Sequence, residues 1–309
     1  MLTLSYLLAF LLPLSSPPPV AVSWVPEHPV QGSMIRIVAR PAVDDSVASV
    51  RAEFAGEPLH FERDSSTGAF EAYAGVPVDA QLHLLLPLVV EHAGGTVDTV
   101  LIRMPILRGR YAMEHLTVAP EFTEKPDSAL TARLEREAAL IRQAWLETHV
   151  TPRLWRDPFE RPRDSHITSV YGTGREFNGV VQNRHLGTDF RGAVGDPIRA
   201  SNDGVVTLIG DFYYSGNMVV IDHGAGIATA YLHMSRVLVL QGDTVTRGQL
   251  IGLVGSTGRV TGPHLHWIAK YGQISVNPLS LLALTAEPAG GAPRREDPPA
   301  TRPVSRVGG

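Results

Sequence analysis

The chain contains R-H-L-G-T-D-F at residues 184–190 and T-G-P-H-L-H-W at residues 261–267. Both segments have the character of β-strands, in which successive side chains alternate between the two faces of a sheet. A separation of four residues puts His185 and Asp189 on one face. A separation of two does the same for His264 and His266. Each segment is therefore expected to present a pair of polar side chains in one direction.

These paired side chains are the residue types that hold a catalytic metal. Two imidazoles and one carboxylate are the usual protein ligands of a catalytic zinc ion, which keeps one coordination position open for water or substrate. A single histidine is more often an ordinary, partly exposed residue. Two evenly spaced pairs in separate segments favour a zinc site instead, although spacing alone does not show that the two segments meet.

A longer ordered series of segments surrounds these pairs. It comprises I-T-S-V-Y-G-T-G-R-E-F-N-G (167–179), R-H-L-G-T-D-F (184–190), G-D-P-I-R-A (195–200), D-G-V-V (203–206), G-N-M-V-V-I-D-H-G (216–224), A-Y-L-H-M (230–234), G-D-T-V-T-R-G-Q-L-I-G (242–252) and G-S-T-G-R-V-T-G-P-H-L-H-W (255–267). On this series, residues 164–284 resemble the lysostaphin/LytM-type zinc metallopeptidases, the endopeptidases that cleave cross-links and stem peptides of the bacterial cell wall. A lone H-x-H is a weak signal, but the ordered series is a strong one.

The resemblance implies a five-residue site. It makes His185, Asp189 and His266 the ligands of one Zn²⁺ per chain. It makes His233 and His264 the two catalytic histidines that do not bind the metal. Hydrolysis needs a group that accepts a proton from water and a donor to the tetrahedral oxyanion. The sequence does not decide which of the two histidines has which role, and either could mainly orient its neighbours.

Further polar residues of the same region are weaker candidates for a role in catalysis or substrate binding. Tyr213 or Tyr214 could donate to the oxyanion, and a role as an aromatic wall of the groove is equally compatible with the sequence. Residues 175–178 form a loop that could line the groove. Asp222 and His223 adjoin a glycine turn, and a structural hydrogen-bonding role is favoured for both.

The expected function is zinc-dependent hydrolysis of peptide bonds in peptidoglycan cross-links or stem peptides. One alternative is a non-enzymatic regulator that activates cell-wall amidases, because proteins of this fold that have lost ligands can act in that way. All five site residues are present here, which favours the enzyme. A second alternative is an endopeptidase that acts on a protein substrate, and the sequence does not exclude it.

The rest of the chain is divided by changes in its pattern. The predicted organisation comprises a signal peptide (1–23), an immunoglobulin-like β-sandwich (24–106), a linker (107–163) with a helix at about 128–147, the antiparallel β metallopeptidase domain (164–284) and a disordered tail (285–309). The sandwich is predicted from about seven short alternating runs separated by turns. Four histidines in it lack metal spacing and are expected at the surface: His28, His60, His83 and His92.

The linker helix has both a start signal and an apolar stripe. Asp127 or Ser128 is its expected N-cap. Apolar residues follow at helical spacing on one face: Leu130, Leu134, Ala138, Ile141 and Trp145. This periodicity is typical of a helix that packs one side against the protein. The Pro/Gly/Arg-rich tail, in contrast, has almost nothing to bury.

The N-terminal segment and the composition indicate where the protein is located and which partners it binds. The first twelve residues are apolar but too short to span a bilayer, and small residues allow signal cleavage after Ser23. We therefore expect an exported protein, in the periplasm, the cell envelope or secreted, with no stable membrane span after signal removal. The chain has no cysteine and thus no disulfide. Its net charge of −4 indicates no attraction to nucleic acid, and peptidoglycan peptides are the expected partner. The oligomeric state is not predicted.

Overall fold

The computed structural model describes residues 19–42 and 47–286, and these are arranged mainly in β-strands. The elements in chain order are β1 (Val20–Val25), β2 (Met34–Pro41), β3 (Val47–Phe54), β4 (Glu57–Pro58), β5 (Glu62–Arg63), β6 (Phe70–Gly75), β7 (His83–His92), β8 (Val97–Pro105), β9 (Met113–Leu116), a 3₁₀ helix (Pro120–Phe122), α1 (Ser128–Glu147), β10 (Ile167–Ser169), β11 (Gly174–Phe177), β12 (Val180–Arg184), β13 (Thr188–Arg191), β14 (Pro197–Arg199), β15 (Gly204–Phe212), β16 (Gly216–Gly224), β17 (Ile227–Val237), β18 (Thr244–Val245), β19 (Leu250–Val254), β20 (His264–Tyr271), β21 (Ile274–Val276) and α2 (Pro278–Ala286). Among these residues, no helix is long and apolar enough to cross a membrane. The predicted fold class, mainly β with antiparallel sheets, is confirmed.

The N-terminal module consists of two four-stranded antiparallel sheets, with strand orders β1-β2-β6-β5 and β4-β3-β7-β8. Ile35 and Ile37 of β2 are fully buried, and so are Leu86 and Leu88 of β7. All four belong to one apolar cluster, which therefore joins both sheets. The immunoglobulin-like assignment of this module stays a prediction.

The first strand begins earlier than the expected module boundary. Val20 and Ala21 already pair with β2, opposite Pro41 and Arg40. The expected cleavage point after Ser23 therefore falls inside β1 and would remove four of its six residues. Most of the predicted signal peptide, residues 1–18, lies outside the described residues.

Helix α1 occupies the span expected from its cap and its periodicity. The carboxylate Oδ1 atom of Asp127 accepts a hydrogen bond from the Leu130 N–H at 2.7 Å, so Asp127 is the N-cap. Trp145 is buried with Ala144 against strands of the C-terminal sheet. Ala138, in contrast, is exposed, contrary to the predicted stripe. Its neighbour Glu137 faces the protein instead, because its carboxylate accepts a hydrogen bond from a backbone N–H at 2.9 Å.

The linker also contains a strand that its sequence does not indicate. Strand β9 pairs in parallel with β11, and together with β12 they form a three-stranded sheet. In this register Glu114 lies opposite Arg175, and Glu176 lies opposite His115. The linker is therefore attached to the region that follows it by main-chain hydrogen bonds.

The C-terminal region is built on one ten-stranded sheet. Its main strand order is β10-β13-β20-β17-β16-β15-β18, with β14, β19 and β21 attached to it. Buried side chains from several strands fill one face, including Phe190, Tyr231 and Trp267. Strands β13, β20 and β17 are adjacent, so residues distant in sequence are brought together at this part of the sheet.

Helix α2 closes this region. It begins at Pro278 and is nine residues long. Leu281 and Leu284 of this helix are buried in the apolar cluster that also contains the N-terminal core. Helix α2 extends to Ala286, two residues beyond the expected domain end at residue 284. The remainder of the predicted tail, residues 287–309, lies outside the described residues.

Candidate metal centre

His185, Asp189 and His266 meet in a compact group that could hold a metal ion. The Oδ1 atom of Asp189 lies 3.0 Å from Nε2 of His185 and 2.7 Å from Nδ1 of His266. The two ring nitrogens are 2.9 Å apart. All three residues are buried. The two histidine-containing segments of the sequence therefore do meet.

The local backbone explains this convergence. Two of the three residues lie in strands, as the sequence predicts, and the third does not. Asp189 lies in β13 directly opposite His266 in β20, so strand pairing aims both side chains at one point. His185, however, lies in the connection between β12 and β13 and not within a strand. The connection passes close to the His266 ring at Gly187, where a Cβ atom would lie 2.7 Å from Cε1 and Nε2 of that ring. A residue without a side chain is therefore needed at this position.

The hydrogen bonds around the group leave its donor atoms free to bind a cation. Nδ1 of His185 lies 2.9 Å from the carbonyl oxygen of Val170 and 3.1 Å from the hydroxyl of Ser169. A carbonyl only accepts hydrogen bonds, so this nitrogen carries the proton and Nε2 presents its lone pair to Asp189. Such a partner on the second nitrogen is the usual way in which a metal-binding histidine is oriented.

The protonation states also fit a metal. Burial acts to raise the pKa of Asp189, but the adjacent imidazoles of His185 and His266 outweigh it and hold that pKa well below its usual value. Burial lowers the pKa of His266 to about 4. The group thus offers an ionised carboxylate and neutral imidazole nitrogen, which are the forms that bind divalent transition metals.

His264 lies beside this group on the same face of β20 as His266. Its Nδ1 atom donates to the carbonyl oxygen of Gly262 at 2.8 Å. Its Nε2 atom lies 3.7 Å from Oδ1 of Asp189. In the neutral ring, the Gly262 contact places the proton on Nδ1, so Nε2 is the nitrogen that can accept one.

His233 approaches from the neighbouring strand. Strand β17 pairs with β20 as far as Leu232 and with β19 from Met234 onward, so His233 occupies the point of transition. Its backbone has a φ of +63°, which is uncommon for any residue except glycine and is typical of functional sites. Its Nδ1 atom donates to the carbonyl oxygen of Thr257 at 2.8 Å, and its ring centroid lies 5.0 Å from that of His264. Burial, followed by the neighbouring histidines, lowers the pKa of His233 well below its usual value.

The five residues lie at the floor of an open cleft of about 870 Å³. Tyr214 lines this cleft, and the guanidinium of Arg259 lies 4.5 Å from both its ring centroid and that of Phe177. Tyr213 donates its hydroxyl hydrogen to the carbonyl oxygen of Glu121 in the linker at 2.8 Å, and it does not belong to the cleft wall. Of the two predicted candidates, Tyr214 is therefore a wall residue and Tyr213 a linker contact.

Asp222 and His223 lie away from the cleft. Asp222 accepts hydrogen bonds from the Gly224 N–H at 2.7 Å and from the Thr151 hydroxyl at 2.5 Å. His223 is fully buried and donates from Nδ1 to the carbonyl oxygen of Asp203 at 2.7 Å. Both make the structural hydrogen bonds that their position beside a turn predicts.

Three residues around the metal-binding group were not predicted in this role. They are Glu114, Ser169 and Arg175, and the sequence indicates only Arg175, as part of a segment that could line the groove. Arg175 donates from Nη2 to Oδ2 of Asp189 at 2.5 Å. Glu114 accepts a hydrogen bond from the Ser169 hydroxyl at 2.7 Å, and that hydroxyl lies 3.1 Å from Nδ1 of His185. The sequence I-T-S-V-Y-G-T-G-R holds two of them, but Glu114 comes from the linker, where no motif marks it.

The chain is similar to known proteins over this region. Residues 183–278 match the model of Peptidase family M23. Peptidoglycan DD-endopeptidase ShyA of Vibrio cholerae is 55% identical over 83 residues, which is 27% of this chain and 19% of that protein. DD-carboxypeptidase/endopeptidase Mpg of Neisseria meningitidis is 47% identical over 103 residues, covering 33% of this chain and 24% of that protein. The similarity thus spans about a fifth to a quarter of the length of these two relatives.

A solved structure resembles more of the chain. It is a crystal structure of a protein from Pseudomonas aeruginosa assigned to peptidase M23, with a TM-score of 0.62 and 27% sequence identity. The likeness covers 82% of this chain and 94% of the other, so it extends well beyond residues 183–278. The matched family segment contains all five residues at the floor of the cleft. Residues 183–278 of this chain therefore belong to a peptidase family M23 domain.

Proposed function

We propose that this protein is a zinc-dependent endopeptidase that hydrolyses peptide bonds in peptidoglycan cross-links or stem peptides. The observation that carries the proposal is the convergence of His185 Nε2, Asp189 Oδ1 and His266 Nδ1 at the floor of an open cleft. The substrate class is supported by the relatives, whose names describe peptidoglycan DD-endopeptidase and DD-carboxypeptidase/endopeptidase activity. This substrate would place the site of action in the periplasm or elsewhere in the cell envelope.

His185, Asp189 and His266 would hold the ion. Two neutral imidazoles and one carboxylate form a nitrogen and oxygen donor set that suits Zn²⁺ and leaves a coordination position for another molecule. A zinc ion held there supplies Lewis-acid chemistry, since it acidifies water and polarises the carbonyl group of a bound peptide. The remaining steps depend on the side chains around it.

We assign proton transfer to His264 and His233. Each ring donates from Nδ1 to a backbone carbonyl, so each keeps an unprotonated Nε2 atom that accepts a proton. We assign to His264 the role of accepting a proton from the attacking water, because its Nε2 atom lies 3.7 Å from Oδ1 of Asp189, the proposed ligand atom. Once protonated, this nitrogen is a donor to the leaving amine of the cleaved peptide. His233, whose ring adjoins that of His264, is assigned to the same transfer.

The cleft provides room for an extended peptide above these groups. It contains both polar side chains and apolar ones, such as Leu116 and Val118 of the linker and Tyr214 of the C-terminal region. A mixed surface of this kind is common in sites that bind a ligand by shape and fix its orientation with a few polar contacts. The linker therefore contributes part of the proposed substrate-binding surface.

The direct test is digestion of purified cross-linked muropeptides by the full chain, with zinc and with a chelator, followed by mass spectrometry. The proposal predicts loss of dimers that depends on the metal, and the product masses identify the bond that is cut. His264→Ala is the matched control, because it retains all three proposed ligands and is expected to leave the dimers intact. If dimers persist while zinc is bound to the unaltered chain, the proposed activity is wrong.

A further inference from the structure

A side chain of the linker contacts two neighbours of the proposed metal ligands. Glu114 lies in β9, outside the segment that matches the peptidase family. Its Oε1 atom accepts a hydrogen bond from the hydroxyl of Ser169 at 2.7 Å. Its Oε2 atom lies 3.3 Å from Nε of Arg175, within the distance of an ion pair. Glu114 and Arg175 also lie opposite each other in the parallel pairing of β9 with β11.

Both partners of Glu114 in turn contact proposed metal ligands. The Ser169 hydroxyl lies 3.1 Å from Nδ1 of His185, whose proton it shares with the closer carbonyl oxygen of Val170 at 2.9 Å. Arg175 donates from Nη2 to Oδ2 of Asp189 at 2.5 Å. The donor and acceptor roles are consistent, because Ser169 has one hydrogen for Glu114 and two lone pairs for its other partners. Glu114 therefore fixes two side chains, each of which holds one ligand.

The charges of the group depend on this residue. Arg175 carries a positive charge that cancels the negative charge of Asp189, and such a pair attracts a cation only weakly. Glu114 adds a second negative charge, so the three residues together are negative by one. The side chains are 27% exposed for Glu114, 17% for Arg175 and 8% for Asp189, so solvent screens these charges only in part.

We infer that Glu114 is a positioning residue that sets the metal affinity of the site. This inference rests on the metal site of the proposed function, and it makes the linker strand β9 a component of that site. Residues that orient metal ligands typically contribute a factor of about 10 to 100 to metal affinity. Displacement of β9 from β11 would remove this contribution without altering any ligand.

The test is the zinc affinity of the full chain, measured by competition with a chromophoric chelator. We expect Glu114→Ala to weaken zinc binding by up to about 10-fold, the lower end of the range for direct partners of metal ligands, because Glu114 acts through Ser169 and Arg175. Glu114→Gln keeps an acceptor for Ser169 but removes the negative charge. We expect this variant to bind zinc more weakly than the unaltered chain does. His115→Ala is the matched control, because His115 lies in the same strand, pairs with Glu176 at 3.0 Å and contacts no ligand. Its zinc affinity should stay within about twofold of that of the unaltered chain.

A second readout separates positioning from loss of structure. The thermal stability of the metal-free variants shows whether Glu114→Ala folds as the unaltered chain does. The visible spectrum of the Co²⁺-loaded variants reports the ligand geometry, which a purely structural change elsewhere would not alter. Zinc affinity of Glu114→Ala within twofold of the original value would overturn the inference. An equal loss in His115→Ala would also overturn it, since the effect would then belong to the strand as a whole.

These results do not depend on peptide cleavage. If the chain binds zinc but cleaves no muropeptide, the proposed function fails while the comparison of affinities still decides the role of Glu114. If cleavage is seen and the affinities are equal, the function stands and the role of Glu114 is refuted.

Discussion

Asp189 and His266 lie directly opposite each other in the antiparallel pairing of β13 with β20, and Oδ1 of one lies 2.7 Å from Nδ1 of the other. A shift of this pairing by one residue would turn one side chain to the opposite face of the sheet. The register of two strands therefore assembles two of the three proposed ligands. The third, His185, is supplied by the connection that leads into β13.

Removal of a proposed ligand should have a different effect from removal of a neighbouring histidine. We expect His266→Ala and Asp189→Ala to abolish cleavage and to lose zinc, because each leaves only two ligands. His233→Ala should keep one zinc per chain and lower the rate of cleavage by about 100-fold or more, as is typical when a proton-transfer group is removed. Metal analysis together with the digestion assay distinguishes these cases. Full zinc retention by both ligand variants would contradict the assignment.

Gly187 should be intolerant of a side chain. A Cβ atom there would lie 2.7 Å from the His266 ring and 2.7 Å from the carbonyl oxygen of Trp267. Because a backbone oxygen cannot move aside cheaply, we expect Gly187→Ala to displace the His266 ring and to weaken zinc binding at least tenfold. Gly94→Ala is the control, since nothing lies within 4 Å of a Cβ atom at that position. Equal zinc affinities of the two variants would show that the connection between β12 and β13 accommodates the added methyl group.

The N-cap of α1 offers a test of local stability. Asp127 accepts the hydrogen bond from Leu130, whereas Ser128 is the first residue of the helix. We expect Asp127→Ala to lower the free energy of unfolding by about 1 kcal/mol. Ser128→Ala, the control at the other predicted cap position, should change it by less than about 0.5 kcal/mol. Chemical denaturation measures both, and the reverse order would assign the cap to Ser128.

Burial of His223 should make the fold sensitive to acid. Burial lowers the pKa of His223 from 6.5 to about 4, so the unfolded chain binds more protons between these two values. The free energy of unfolding is therefore unaffected by the titration of His223 above pH 6.5, and it falls as the pH drops toward 4. With 1.36 kcal/mol per pKa unit, the loss from this one group is about 3 kcal/mol.

The matched variant for this prediction is His223→Gln, which cannot titrate. It should be less stable than the unaltered chain at pH 7, and the difference between the two should shrink as the pH falls from 6.5 to 4. Denaturant unfolding of both chains with a chelator present measures the difference at each pH and removes metal binding as a cause. If the difference in stability between the two chains stays constant over this range, His223 is not the group that causes the loss of stability in acid.

The sequence is most informative where chemistry and local pattern coincide. His264 and His266 lie two residues apart in a strand, and alternation alone puts them on one face, as the structure has them. The helix that begins after Asp127 was likewise predicted from its cap and its periodicity. In both cases neighbours in the sequence determine the result.

The features that were missed depend on contacts between distant segments. Glu114 lies in M-E-H-L, a run without alternation or turn signals, and only its pairing with β11 makes it a strand. His60 was expected at the surface, but it is half-buried, and its Nε2 atom lies 2.8 Å from Nδ1 of His149 in the segment after α1. The sequence of neither segment reveals that contact. Long-range pairing of this kind is the information that local patterns lack.

The most direct measurement of the central claim is a zinc titration of the metal-free full chain against cross-linked muropeptide dimers. We predict that cleavage is absent without metal, rises with added zinc and reaches a plateau at one equivalent per chain, as expected when His185, Asp189 and His266 together hold one ion. The Asp189→Ala chain should show no cleavage at the same zinc concentrations. Cleavage that persists after removal of the metal, or intact dimers at saturating zinc, would contradict the account.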